Sequence, residues 1–333
     1  MQAVVIPRPG GPEVLELTDV PRPEPEPEQV LVRVHATALN RADLLQREGR
    51  YPAPPGAAQE IPGMEFAGEV MAVGRRATLW PIGSRVFGIV GSGAHAEYVV
   101  AHERAVAEVP AVLGWAEAAA VPEAFITAHD ALVSQAGLRS GERVLVHAVG
   151  SGVGVAAIQL VRAVGATPYG TARGAWKLER AQEYGLEAGF APPADLVGLG
   201  ERVAEWTGGR GMDVVLDLVG GPYVEASALA LALKGRLMLV GSVGGADARL
   251  PLRRVMSQRV TIRGTVLRAR PIEERILVTR AFAAEIVPLI ARGLLRPVVD
   301  SRFALADIVS AHRRLGSNET FGKVVLEVAP PSI

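Results

Sequence analysis

Residues 147–160 read HAVGSGVGVAAIQL. Just upstream, residues 143–148 (RVLVHA) form an apolar run of strand length, and residues 153–164 (VGVAAIQLVRAV) have the length and composition of a helix. Gly150, Ser151, Gly152, Val153 and Gly154 therefore fall where a strand hands over to a helix. A pyrophosphate can approach the backbone there only where side chains are absent. The helix N-terminus then offers it free N–H groups and a partial positive charge. The spacing G-S-G-V-G departs from G-x-G-x-x-G, and a tight turn without a ligand would use the same glycines. The strand before and the helix after are the context that favours a dinucleotide.

The next strand, expected over residues 166–172, ends inside TARGAWKLER (residues 171–180). Chains that bind NAD commonly place Asp or Glu at this strand end to hold the ribose 2′-hydroxyl. No carboxylate occupies it here; Arg173 and Lys177 follow instead. A 2′-phosphate would be repelled by a carboxylate and attracted by these cations, so the pair points to NADP(H) over NAD(H). Solvated cations at a helix start are the plain alternative, although that end of a helix is mildly unfavourable for positive charge.

Working outward, residues 176–184 read as helix with Gly185 as its stop. Residues 213–219 (DVVLDLV) and 236–241 (RLMLVG) are buried-strand candidates on either side of a helical segment. Strands alternating with helices imply a parallel sheet. Before about residue 121 the pattern is different. Short strand-like runs, such as residues 29–35 (QVLVRVH) and 68–73, are separated by turn-rich stretches, PRPEPEPE at 21–28 and PAPPG at 52–56. That reads as an all-β unit. After about residue 268 the chain reads as helical through 293 and ends in a strand-like run over 323–328.

The 333 residues suggest two domains. The expected fold class is α/β: a doubly wound parallel sheet over residues 122–266, inserted in a β domain made of residues 1–121 and 267–333. With 35 basic and 35 acidic residues the formal charge is +0, which disfavours a dedicated nucleic-acid binder or a polybasic membrane binder. Cys is absent, so no thiolate nucleophile, iron–sulfur cluster or Cys-ligated zinc can be built from this chain. No signal peptide is recognisable at the N-terminus. Apolar runs end well short of the ~20 residues of a membrane span. A cytoplasmic location is expected.

Further segments carry a resemblance: NRADLLQREGRYPAPPG (40–56), PGMEFAGEV (62–70), AAAVPEAFITAHDAL (118–132), DVVLDLVGG (213–221), GRLMLVG (235–241) and SNETFGKVVLEV (317–328). With the glycine turn, they resemble the zinc-free quinone oxidoreductases, or zeta-crystallin-like proteins, of the medium-chain dehydrogenase/reductase superfamily. The R-A-D-L-x-Q-R-x-G-x-Y segment and the Ser in the glycine turn look closest to the stress-inducible NADPH oxidoreductase branch. The resemblance implies a GroES-like β catalytic domain interrupted by a Rossmann domain, NADPH as cofactor and a homodimer. The Rossmann sheet edge over residues 260–267 (VTIRGTVL) is the expected dimer contact.

The resemblance also implies site residues. Asn40, Tyr51 and Thr127 would face the nicotinamide and substrate. Gly241, and Asn318 with Lys323 in the SNETFGK segment, would meet the cofactor. Zinc-dependent relatives carry Cys at the position of Asn40 and His at that of Met64, so a zinc Lewis acid is excluded by the resemblance. Two departures stand out. Ser151 replaces a glycine of the family's A-x-x-G-x-x-G, and it is expected still to donate to a phosphate. Pro192 stands where the family often has a Tyr near the 2′-phosphate. The implied activity is hydride transfer from NADPH to a quinone in a dry cleft between the domains. Reduction of activated C=C bonds in enones or enoyl thioesters, and a non-enzymatic NADPH- or RNA-binding role, are the rival readings.

Overall fold

A computed structural model describes residues 1–328. The chain divides into two compact units, Met1–Ile126 together with the chain from Leu267 onward, and Thr127–Val266. The first division falls inside the helix Pro122–His129.

The unit Thr127–Val266 is built on six parallel strands. Their order across the sheet is Ala188–Phe190, Thr167–Thr171, Arg143–Val146, Met212–Asp217, Leu231–Leu239 and Thr261–Gly264. The chain order reverses between Arg143–Val146 and Met212–Asp217, and at such a switch point the strand ends leave a crevice for a ligand. Val144, Leu145, Val146, Val214, Val215 and Leu216 are all fully buried, which explains why these strands read as continuous apolar runs rather than alternating ones. The helix Gly152–Val164 buries the stripe from Gly154 to Val161 and stops at Gly165, whose φ of 84° closes the helix in the left-handed region.

The fifth strand runs Leu231–Leu239, not 236–241. It begins directly after the helix Pro222–Ala230 and contains Lys234 at φ 60°. Its ladder with Met212–Asp217 shifts register between Met212 and Val214. This irregular start has no clean period of two, so only its regular second half was legible. The strand Thr261–Gly264 ends the sheet and pairs on one side only.

The other unit carries a seven-stranded sheet. Its order is Val299–Ala304, Lys323–Glu327, Gln29–Ala38, Glu65–Val73, Arg85–Ile89 and Val106–Glu108, with Tyr98–His102 also paired to Gln29–Ala38. The core gathers Val30, Val32, Val34, Phe66, Val70, Val86, Val324 and Leu326. The strand Lys323–Glu327 lies antiparallel to Gln29–Ala38 with Val325 opposite Ala38. Carried two residues further, that register sets Lys323 against Asn40. The strand Val299–Ala304, half-exposed and rich in polar residues, was not anticipated; among the described residues it pairs only with Lys323–Glu327. The helical stretch after residue 268 is two helices, Ile272–Glu285 and Val287–Ala291, broken where Pro288 cannot continue the first.

Candidate functional site

In the parallel-sheet unit, the glycine turn is shaped by Ser151. Its Oγ accepts from Gly154 N–H at 3.0 Å, capping the helix, and donates to Ala148 O at 2.8 Å. The expected donation from Ser151 to a phosphate is therefore already committed to the turn. First-turn amides of a helix lack internal acceptors, so the Gly152 and Val153 amides are the donors an anion would meet. A Cβ on Gly154 would lie 2.4 Å from Ala148 O, and one on Gly241 would lie 2.4 Å from Leu218 O. Both positions exclude side chains. A Cβ on Gly150 would meet the Lys177 stem at 2.8 Å, so Lys177 folds across the turn. Arg173 is exposed and acts electrostatically on Tyr223.

Below the turn, His147 is fully buried between Thr171 Oγ1 (2.8 Å) and Ser227 Oγ (3.0 Å), with Tyr223 edge-on at 4.8 Å. Burial pushes its pKa down to about 3, so it is a neutral strut. Asp217 Oδ1 accepts from the amides of Val219 and Gly220 at 2.8 and 2.9 Å and fixes the following loop. Thr127 Oγ1 is buried with no hydrogen-bond partner among the described residues. The bare turn and its first-turn amides fit the pyrophosphate of a dinucleotide.

In the other unit, Asn40 caps the helix Arg41–Arg47 reciprocally with Asp43, whose Oδ2 accepts from Asn40 N–H at 2.7 Å. Asp43 Oδ1 accepts from Gly63 N–H at 3.1 Å. The Asn40 side chain is locked as well. Its Nδ2 donates to Glu65 Oε1 at 2.8 Å, and its Oδ1 accepts from Lys323. Lys323 donates further to Leu39 O at 2.8 Å and pairs with Glu65 Oε1 at 2.7 Å. An ammonium has three hydrogens, and all three are used here. Lys323, 5% exposed, thus has each of its hydrogens facing an acceptor of its own chain. Asn318, at φ 62°, accepts from Arg41 Nη2 at 2.7 Å.

Tyr51 is half-buried. The Arg268 guanidinium lies 5.1 Å from its ring centroid, and Arg268 also donates to Tyr51 O at 3.3 Å, to Gly91 O at 2.6 Å and to Gln46. Burial raises the Tyr51 phenol, with Arg268 opposing and Glu123 reinforcing. Arg268 and Glu123 escaped the sequence reading as site residues. The only signal for Glu123 was a lone carboxylate in the apolar run AAAVPEAFITA; nothing local marks Arg268.

Asn40 and Met64, at the positions of zinc ligands in metal-dependent relatives, do not fit a zinc ion. The Asn40 oxygen is taken by an ammonium. No group of three His, Cys, Asp or Glu among the described residues could hold a metal.

Residues 26–111 match the family model of the alcohol dehydrogenase GroES-like domain, and residues 152–283 match that of the zinc-binding dehydrogenases. The quinone oxidoreductase of Homo sapiens is 32% identical over 332 residues, covering 98% of this chain and 97% of that protein. The quinone oxidoreductase of Pseudomonas aeruginosa is 35% identical over 321 residues, covering 95% and 96%. A mycobacterial protein solved in complex with NADPH superposes with a TM-score of 0.87 at 30% identity, covering 98% of this chain and 100% of that one.

Proposed function

This chain belongs to the quinone oxidoreductase, zeta-crystallin-like, family of the medium-chain dehydrogenase/reductase superfamily, and from that premise we propose that it is a zinc-independent NADPH:quinone oxidoreductase. The observation that carries the cofactor half is the Lys177 stem lying across Gly150. The stem packs on the glycine turn while the ammonium lies 5.3 Å from the Trp176 ring centroid, at the helix start that follows the strand end where a 2′-phosphate would need a cation. Arg173 adds a second charge. The amides of Gly152 and Val153 would hold the pyrophosphate, and bare Gly154 and Gly241 let the backbone come close. The relative solved with NADPH points the same way.

NADPH, when bound, supplies a hydride from its nicotinamide. The chain's own residues bind, orient and protonate around that event. Thr127 carries an unpartnered hydroxyl for a polar group of cofactor or substrate. Asn40 is fixed in one rotamer by Lys323 and Glu65, so its backbone and amide edge form a rigid wall. Tyr51, clamped by Arg268, offers a flat ring to a flat acceptor. A planar quinone suits such a platform. Homodimerisation through the one-sided strand Thr261–Gly264 completes the reading. No helix among the described residues is long and apolar enough to cross a membrane.

The test is a screen of NADPH oxidation over quinones, enones and aldehydes, with and without a metal chelator. Quinone-dependent oxidation that survives chelation is the expected result. Turnover of enones alone, or activity abolished by chelator and restored by zinc, overturns the reading.

A further inference from the structure

Glu65 and Glu123 act on one another although no local pattern in the chain joins them. Glu65 is fully buried, and its Oε2 accepts from the Glu123 backbone N–H at 2.8 Å. Its Oε1 takes Lys323 and Asn40. Lys323, the cation that acts most strongly on Glu123, is thereby committed to Glu65. The Glu123 carboxyl is left with its Oε2 covered and without a hydrogen-bond partner among the described residues. A buried carboxyl that feels a second, cation-paired carboxylate does not ionise readily. The groups acting on Glu123 are Glu65 and Asp43, which disfavour its charge, and Lys323 and Arg268, which favour it. Burial and Glu65 dominate, and Glu123 is pushed up to about 8. At neutral pH it carries a proton. Glu123 also acts electrostatically on the Tyr51 phenol, which links the acid to the stacking platform.

We propose that Glu123 is the acid of this site, donating its carboxyl proton to the oxyanion that forms when the acceptor takes up a hydride. The proposal rests on the oxidoreductase reading above. The hydride brings two electrons, and the reduced acceptor is left one proton short. The O–H bond of Glu123 breaks, the O–H bond of the product forms, and Glu123 remains as a carboxylate beside Glu65. Once the product leaves, that like charge and the burial draw a proton back from water. Glu123 as a whole is only half-buried, which gives the proton a way in. Tyr51 is the weaker candidate, because burial moves its phenol further above its ordinary range, whereas an acid with a pKa near the working pH transfers protons best.

Two measurements test this. Infrared pH titration of the cofactor-free protein should show a protonated carboxyl that disappears around pH ~8 and is missing from Glu123→Gln. Steady-state quinone reduction by the wild type should fall above about pH 8. Glu123→Gln should lack that limb, lose about 100-fold in kcat with little change in KM, and bind NADPH as the wild type does by fluorescence titration. Glu123→Asp should keep a high-pH limb and part of the rate; if the Gln variant does not fold, this variant and the wild-type titration decide. A Glu123→Gln enzyme with full kcat and normal pH dependence overturns the proposal alone. So does an infrared titration with Glu123 already ionised at neutral pH. A wild type that binds NADPH but reduces no quinone overturns the functional reading and this proposal with it.

Discussion

Replacing Lys323 with Met removes the cation that Glu65 and Asn40 share. Glu65 is fully buried, Lys323 is 5% exposed and their charged atoms are 2.7 Å apart. Deleting one member of a buried pair leaves the other uncompensated, at a cost of about 3–5 kcal/mol. For units of this size each kcal/mol lowers Tm by about 2–4 °C, so Lys323→Met should melt about 6–20 °C below the wild type. The double variant Lys323→Met/Glu65→Gln removes the stranded charge and should recover much of that loss, a coupling that the double-mutant cycle isolates. Circular dichroism melts of the four cofactor-free proteins at neutral pH provide the assay, with NADPH titrations alongside. Destabilisation under about 1 kcal/mol, or a double variant as unstable as the single one, would refute the buried-pair argument. A Tm unchanged while NADPH affinity collapses would show that Lys323 serves the nucleotide after all.

Lys177→Ala should weaken NADPH about 10- to 100-fold, from the roughly 1.5–3 kcal/mol of a charged hydrogen bond, while leaving NADH nearly unaffected; Arg173→Ala should act in the same sense. Equal losses for the two cofactors in calorimetric titrations would assign Lys177 a structural part only. Tyr51→Phe should keep most quinone turnover and Tyr51→Ala should raise KM, as a platform requires; a loss of about 100-fold in the Phe variant would make the phenol a proton donor. His147 is held neutral, its pKa lowered from 6.5 to about 3. The unfolded chain therefore binds a proton below about pH 6.5 that the folded chain refuses, and stability falls with decreasing pH through that window by about 1.4 kcal/mol per unit. His147→Gln should reduce the slope of unfolding free energy against pH by about one proton between about pH 6 and 4; an unchanged slope would contradict it.

The glycine turn was legible because everything that defines it is local: an apolar strand, three glycines and a helix within about twenty residues. The same holds for the turn-punctuated strands of the β unit. What escaped depends on contacts across the chain. Lys323 meets Asn40 over a separation of 283 residues and Arg268 meets Tyr51 over 217. No periodicity reports such pairs. The resemblance implies that Lys323 meets the cofactor; only the antiparallel register with Gln29–Ala38 reveals that it also turns inward to Asn40. The resemblance leads to the expectation that Ser151 donates to a phosphate, whereas its hydroxyl donates to Ala148 O and caps the helix, a competition between cap and ligand that residue type alone does not settle. Glu123 escaped for a third reason. Its chemistry comes from its neighbour Glu65, fifty-eight residues away, and not from its own segment.

Hydride transfer from NADPH to a quinone is the step on which the proposed function stands. Anaerobic single-turnover stopped flow, with the enzyme and one equivalent of NADPH mixed against a benzoquinone, tests it most directly. NADPH should be consumed one for one with hydroquinone appearance, deuterium at the transferred position should slow the step, and chelator should change nothing. NADPH that remains unoxidised in the presence of quinone, while the same protein reduces an enone, would contradict it.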